Sequence, residues 1–333
     1  MQIIGIRELN VASWNALAER SSVASWFQTK EAYDFFNSLS FLDEFVVAVE
    51  NEGILKGLVV GFIQKGEGKI KQFFSRRAII NGGPLLADDI TEKELSLLLT
   101  AVKDLLKRKA IYIEFRNYND YSLWRGVFEQ NGFSYEPHYD IIVDTSSMEG
   151  LNGKLDRNRR RNIKKAFENG VIIDKNPSET EIYAFYCILE ELYKTKVKTP
   201  LYPYEFFEKL RDLPSSLFCL SKDSEGRIIG GLVCVTLEGK SVYAWYACGE
   251  DAAYKNLSPS VMSNYAGICH AAENGFSYFD FMGAGKPNDG GYGVRDFKMK
   301  FGGELMEYGR YKFISNRFLY SLGVFGVKLL KII

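Results

Sequence analysis

Histidine is nearly missing from this chain of 333 residues: only His138 and His270 occur. They stand isolated, one beside Pro137 and the other inside an apolar helical pattern, and both read as structural. Cysteine is scarce as well. Five residues, an odd number with no Cys-x-x-Cys pair, describe the reduced thiols of a cytoplasmic protein. So few soft ligands leave a zinc site little to draw on, and metal dependence is not expected. Catalytic triads cannot be populated either. That leaves direct transfer, in which two bound substrates react and the protein supplies placement and charge. Charge of one sign is not in excess, since 42 basic residues balance 42 acidic ones. Any anion-binding patch must therefore be local. No apolar run is long enough to cross a bilayer. The opening Met1-Gln2-Ile3-Ile4-Gly5-Ile6-Arg7 is charged too early for a signal peptide.

What is present is a globular composition, 46% hydrophobic and 25% charged, in a length that suits two domains. The chain repeats itself. Glu52-Gly53-Ile54-Leu55-Lys56-Gly57-Leu58 resembles Glu225-Gly226-Arg227-Ile228-Ile229-Gly230-Gly231-Leu232. Each follows a strand-like run, Phe45–Val49 or Leu217–Leu220, and each crosses a second turn into an aromatic strand. Those third strands are Ile70-Lys71-Gln72-Phe73-Phe74 and Val242-Tyr243-Ala244-Trp245-Tyr246. Two turns joining three apolar runs predict an antiparallel meander, used twice. Helices are predicted near Val11–Arg20, Glu31–Leu39, Glu92–Arg108, Tyr121–Gln130, Glu179–Lys194 and Tyr204–Leu210. Another runs from Pro259 to Glu273, with Ser258 as N-cap. Strands are expected at Ile111–Phe115, from Phe133, at Tyr278–Met282 and over Glu304–Phe313. The reading is an α/β (α+β layered) chain of two domains, 1–150 and 151–333. Each is a mixed, mostly antiparallel sheet flanked by helices.

Four segments carry candidate chemistry. In Gly293-Val294-Arg295-Asp296-Phe297-Lys298-Met299-Lys300-Phe301-Gly302-Gly303-Glu304, the aromatics fall at i,i+4 on one helix face and two glycines end the helix. Phe279-Asp280-Phe281-Met282-Gly283 reads as a buried strand running into a glycine-rich loop. Gly283-Ala284-Gly285-Lys286 is not a P-loop, because Asp280 stands where that motif needs glycine and Pro287 where it needs Ser or Thr. Its amides could still meet an anion. The run Lys154–Phe167 is the densest basic cluster. On a helix it turns Arg157, Arg160, Arg161, Lys164 and Lys165 outward and Ile163, Ala166 and Phe167 inward, a face for polyanions or a solvated linker. Tyr193–Tyr204 interleaves lysines and tyrosines, suited to phosphate or sugar-peptide ligands or simply to a helix C-terminus. The tail Arg317–Ile333 is apolar with only positive charges. It fits an interfacial amphipathic segment or a helix docked on the fold.

In this order, Phe27-Gln28-Thr29, Asn81-Gly82-Gly83-Pro84-Leu85, Arg160–Ala166, Phe279–Gly283, Phe297-Lys298 and Phe301-Gly302-Gly303-Glu304 resemble the Fem family of peptidoglycan-bridge aminoacyltransferases and its broader GNAT-like relatives. The resemblance covers nearly the whole chain. It implies two tandem GNAT-like domains and transfer of an aminoacyl or acyl group to an amine of a cell-envelope precursor. The family's catalytic Phe-Lys pair falls on Phe297 and Lys298. Some members carry a coiled-coil insertion that helps with tRNA, and no heptad run is present here. A standard GNAT cradles the CoA pyrophosphate on a glycine-rich loop. That position is Tyr254–Ser260 in the second domain, without glycine, and Gly82-Gly83-Pro84 in the first.

The resulting expectation is a metal-free N-acyltransferase that binds no resident cofactor and uses aminoacyl-tRNA or acyl-CoA as co-substrate. A non-catalytic duplicate that binds an anionic envelope precursor is the alternative. Lys298 would stabilise the oxyanion or the departing oxygen, beside Phe297. Asp280 and Asp296 would help to deprotonate the amine. Lys194, Lys196, Tyr202, Tyr204, Tyr246 and Arg295 would bind substrate, and Arg157, Arg160 and Arg161 its polyanionic part. Partners would be a small-molecule or lipid-linked amine, tRNA, and the inner face of the membrane. Oligomeric state is not legible.

Overall fold

Residues 52 and 53 bend the chain back on itself because both sit at positive φ, 52° at Glu52 and 77° at Gly53. This is the backbone that a two-residue hairpin needs. The computed structural model describes residues 1–64, 76–290 and 292–332. It falls into two units, Met1–His138 with Glu307–Ile333, and Tyr139–Met306.

The first unit begins with β1 (Gln2–Ile4), α1 (Val11–Arg20) and α2 (Lys30–Ser38), followed by the hairpin of β2 (Leu42–Asn51) and β3 (Ile54–Gln64). The expected strand Ile70–Phe74 lies outside the described residues. On the edge of β3 away from β2, β4 (Arg77–Asn81) pairs antiparallel, with Phe62 opposite Ile79. Then come β5 (Leu85–Leu86), α3 (Glu92–Leu106), β6 (Tyr112–Arg116), α4 (Arg125–Gln130) and β7 (Ser134–Glu136). Helix α3 starts at a reciprocal Thr91–Glu94 capping box. Its Leu95, Leu98, Leu99, Val102 and Leu106, at helical spacing, are buried against the sheet.

The second unit runs through β8 (Tyr139–Asp144), α5 (Met148–Lys154), α6 (Arg157–Glu168), β9 (Ile172–Asp174), α7 (Glu179–Leu192) and α8 (Tyr204–Arg211). Next is the meander β10 (Ser216–Lys222), β11 (Ile228–Leu237) and β12 (Ser241–Gly249). It continues with α9 (Pro259–Glu273), β13 (Tyr278–Asp280), α10 (Tyr292–Met299) and β14 (Glu304–Glu307). The chain then supplies β15 (Arg310–Ile314) and α11 (Arg317–Ile332) to the first unit.

The two sheets share one plan. The first has the order β1-β2-β3-β4-β6-β15-β7 with β5 on β3, and the second β14-β8-β13-β12-β11-β10-β9. In each, an antiparallel meander meets the next strand in parallel, β4 with β6 and β12 with β13. Each sheet also takes one inner strand from the other half of the sequence. β8 pairs with β13 although it precedes residue 150, and β15 pairs with β6 and β7 although it follows residue 306. This exchange corrects the 1–150 and 151–333 boundary, which no local turn signal could have shown. It also corrects Glu304–Phe313, which is not one strand: Gly309, at φ 68°, separates β14 from β15, and the two belong to different sheets.

Two smaller readings change as well. Phe167 is exposed rather than inward. Ser258 occupies the N-cap position of α9 in the left-handed region and gives its hydroxyl to the Lys255 carbonyl instead of capping. His138 accepts from Arg310 at Nε2 (2.9 Å), and His270 sits beside Asn274 on α9.

Candidate active site

Strand alternation sends Phe279 and Phe281 into the second unit's core, where their rings lie 5.0 Å apart and Phe281 meets Phe301 at 5.4 Å. Asp280 must therefore face the other way. It registers with Tyr243 of β12 and closes the parallel ladder, which spans only Ser241–Tyr243 and Tyr278–Asp280. Beyond it the backbone stays bonded to β8, from Phe281 N to Ile141 O (3.0 Å) and from Ala284 N to Tyr139 O (2.7 Å). β12 runs on to Gly249 with β11 on its other edge. Among the described residues no strand pairs with the β13 edge of β12 past Tyr243, so the sheet opens where β12 and β13 part.

A charged trio stands at this opening. Asp140 of β8, 3% exposed, accepts the Ile141 amide at 2.8 Å and the Gly283 amide at 2.7 Å through Oδ1. Asp280, fully buried, accepts the Met282 amide at 2.6 Å, while its Oδ2 finds no donor. Lys298 reaches back from α10 and donates to the carbonyls of Phe281 (2.8 Å) and Gly283 (2.5 Å). The Lys298 side chain is only half-buried, yet its ammonium is turned inward. Burial raises both carboxyls, and Asp140 adds like-charge repulsion that holds Asp280 well above the usual range. Burial lowers Lys298, and the two acids oppose that shift. A single proton held between the carboxyls relieves their repulsion, satisfies the Asp280 oxygen and leaves the pair one negative charge, which the Lys298 ammonium balances.

The Phe297–Phe301 pair has a partner that the sequence reading missed. Arg159, 5% exposed, lies over both rings at 4.4 and 4.3 Å and donates to the Phe297 carbonyl at 2.8 Å. Its burial pushes it down to about 10, and its Nε meets no acceptor. The two glycines end the helix as expected. Gly302 takes φ 85°, where an added Cβ would strike the Lys154 backbone at 2.8 Å. A Cβ on Gly303 would meet Ile141 Cγ2 at 2.5 Å.

The other candidates scatter. Asp296 is exposed on the outer side of α10, away from the acid pair. Arg295 ties down the loop before it, donating to Ala284 O and Lys286 O at 3.0 Å each and lying over the Tyr139 ring. Four amides of that loop are already spent. Those of Met282, Gly283, Ala284 and Lys286 go to Asp280, Asp140, Tyr139 O and Asp289, which corrects its reading as an anion cradle. Lys194 pairs with Glu190 at 2.8 Å and Lys196 is exposed. Arg157, Arg160 and Arg161 are exposed on α6.

Tyr202, Tyr204 and Tyr246 join an aromatic wall. A bulge in β12 makes it possible: Val233 faces Tyr246 and Cys234 faces Ala244, so Trp245 is the extra residue. Consecutive Trp245 and Tyr246 thus both touch Phe206, at 4.9 and 5.8 Å. Tyr202 stacks on Phe206 at 4.9 Å, Tyr193 meets Tyr246 at 6.1 Å, and Tyr204 packs on Tyr183 and Tyr186.

No curated protein matches the sequence. Residues 153–299 match the family model described as an acetyltransferase (GNAT) domain. Among solved structures, FemX is similar over 97% of this chain and 99% of its own, with 15% identity and a TM-score of 0.73. L-PGS from Bacillus licheniformis is similar over 96% of each chain (15%, TM-score 0.59). A tandem GNAT protein from the clavulanic acid biosynthesis pathway covers 95% of this chain and 98% of its own (9%, TM-score 0.57). The chain thus carries an acetyltransferase (GNAT) family domain at residues 153–299, within the Fem-like, twice-repeated GNAT fold.

Proposed function

We propose that this protein transfers an acyl group, specifically an aminoacyl group from aminoacyl-tRNA, to the amine of an envelope precursor. The observation that carries this reading is the inward Lys298 ammonium beside the Asp140–Asp280 pair, at the point where β12 and β13 separate. Attack of a neutral amine on an ester carbonyl places negative charge on oxygen. Two of the three ammonium donors of Lys298 are held by carbonyls, and the third serves that oxyanion or the departing ribose oxygen. Asp280 is sealed from substrate, so its part is to hold the proton that keeps Lys298 in a neutral trio. The attacking amine loses its proton to solvent or to the substrate itself. The aromatic wall at Tyr202, Trp245 and Tyr246 suits the acceptor, and the exposed cations of α6 suit a polyanion.

The start of α9 argues against acyl-CoA as donor. Pro259 has no amide proton, Ser260 N is bonded to Asp251 Oδ1 at 3.1 Å, and Val261 N to Ser258 O at 2.9 Å. The first-turn amides that would hold a pyrophosphate are spent, and a carboxylate stands among them. In the first unit, Gly82 N goes to Arg116 O, while the Gly82 and Gly83 carbonyls take Gln28 Nε2.

The test is a donor screen of charged tRNA against acyl-CoA thioesters, with mass detection on candidate amines. Product from aminoacyl-tRNA is expected. Retained affinity for the acceptor with no product from any donor would replace this reading with a non-catalytic binding protein.

A further inference from the structure

Helix α11 (Arg317–Ile332) presents two different sides to its surroundings. Asn316 caps it by accepting the Leu319 amide at 3.0 Å, and Tyr320 meets Tyr112 of the first unit edge-on at 5.5 Å. At about 100° per residue, Leu319, Tyr320 and Gly323 share one side of the cylinder. These three are the half-buried positions over Arg317–Phe325. Phe318, Leu322 and Phe325, spaced i, i+4 and i+7, lie roughly opposite. They are 73%, 42% and 62% exposed. So the helix docks through one side and shows water two phenylalanines and a leucine on the other. In the sequence, Leu329 and Ile332 continue that spacing.

Charge on this helix has one sign. The segment 317–332 contains Arg317, Lys328 and Lys331 and no acidic residue, in a chain whose total charge is zero. An exposed stripe of large apolar side chains on a helix whose charges are all positive matches the boundary of a bilayer with anionic headgroups, where rings enter the acyl region and cations meet phosphate. A second copy of the same helix would bring like charges together. No helix among the described residues is long and apolar enough to cross a membrane.

We infer that α11 lies in the surface of anionic membranes, apolar stripe inward, and holds the protein there as a peripheral partner. The inference is independent of the reaction assigned above, because the helix belongs to the first unit and the charged trio to the second.

The full-length protein, mixed with sedimentable vesicles of equimolar phosphatidylcholine and phosphatidylglycerol, is expected to pellet with them. It should remain in solution with phosphatidylcholine alone. The triple variant Phe318→Ser/Leu322→Ser/Phe325→Ser should lose at least about tenfold in partitioning, with its thermal unfolding unchanged because all three side chains are exposed. Replacing Arg317, Lys328 and Lys331 by glutamine should weaken binding by about fivefold per cation and flatten its salt dependence. The inference fails if the wild-type protein does not bind the anionic vesicles or binds both kinds equally. It also fails if the serine variant binds undiminished, or if that variant instead turns a dimer into a monomer by sedimentation velocity.

Discussion

The Gly283 amide donates to Asp140 at 2.7 Å, across 143 residues of sequence, and this bond fixes the turn whose carbonyls hold Lys298. The ammonium position is thus set by β8 as much as by α10. Lys298→Met should lower kcat for acyl transfer about 100- to 1,000-fold, with little change in acceptor KM, as expected for a donor that acts on charge present only in the transition state. Steady-state kinetics with the donor found in the screen decide it. Full activity in Lys298→Met would remove the lysine from the chemistry.

The acid pair predicts an alkaline weakness. Both folded-state carboxyls are raised by burial, so the folded protein keeps a proton that the unfolded chain gives up. The stability tied to that proton is complete below about pH 4 and falls as pH rises toward the folded-state value. Asp280→Asn makes the neutral form permanent and can donate to Asp140. Urea unfolding from about pH 5 to about pH 9 should show a flatter alkaline decline for the variant, with equal or greater stability at the upper end. A decline as steep as in the wild type would place no shared proton there.

Much of this site was legible, and the missed parts have a physical pattern. Phe297, Phe301 and the glycines announce themselves by i,i+4 spacing and a helix stop, and Asp280 is a lone acid inside an apolar strand. Asp140 could not be found that way, because its role depends on β8 entering the sheet between β13 and β14, a long-range pairing without local signature. Arg159 was hidden among similar neighbours, yet a signal existed. Arg159, Ile163 and Ala166 are the buried positions of α6, at i, i+4 and i+7, so the helix phase singles out one arginine as inward and Phe167 as outward. Of the meanders, the second follows the sequence closely, whereas the first finds its third strand at Arg77–Asn81.

Arg159 should behave as a structural clamp that a lysine cannot replace. Its delocalised guanidinium lies over two rings and also bonds the Phe297 carbonyl, geometry that an ammonium cannot reproduce. Arg159→Ala and Arg159→Lys should each lose about 2 kcal/mol or more in urea unfolding, the sum of two partly desolvated cation–π contacts and a charged hydrogen bond. Recovery of wild-type stability by lysine would show that charge alone suffices.

In the first unit, Glu114 faces three cations, at 2.9 Å from Arg116, 3.6 Å from Arg310 and 3.7 Å from Lys312. Burial raises this carboxyl, but the cations outweigh it and hold it near 2, below its ordinary 4.5. Its contribution is therefore present above pH 4.5 and lost as pH falls toward about 2. Glu114→Gln removes the buried carboxylate that three cations share, of which Lys312 keeps Glu136 at 2.7 Å, and should cost about 3 kcal/mol at neutral pH. The gap between variant and wild type in urea titrations should narrow on acidification through that window. A gap independent of pH would mean that the carboxylate charge does not stabilise the fold.

The spent amides at the start of α9 give the sharpest test of the donor. With Pro259 lacking a proton and Ser260 N committed to Asp251, the start of α9 offers acetyl-CoA no free first-turn amide at those two positions. Added acetyl-CoA should leave the thermal unfolding of the wild type unmoved, because a ligand that does not bind the folded state cannot stabilise it. Asp251→Ala removes the competing carboxylate and frees one amide, so a small CoA-dependent rise in the variant alone would show that Asp251 is what closes the site. Saturable stabilisation of the wild type by acetyl-CoA would overturn the argument, because it requires a pyrophosphate site elsewhere on the chain and makes the thioester the favoured donor.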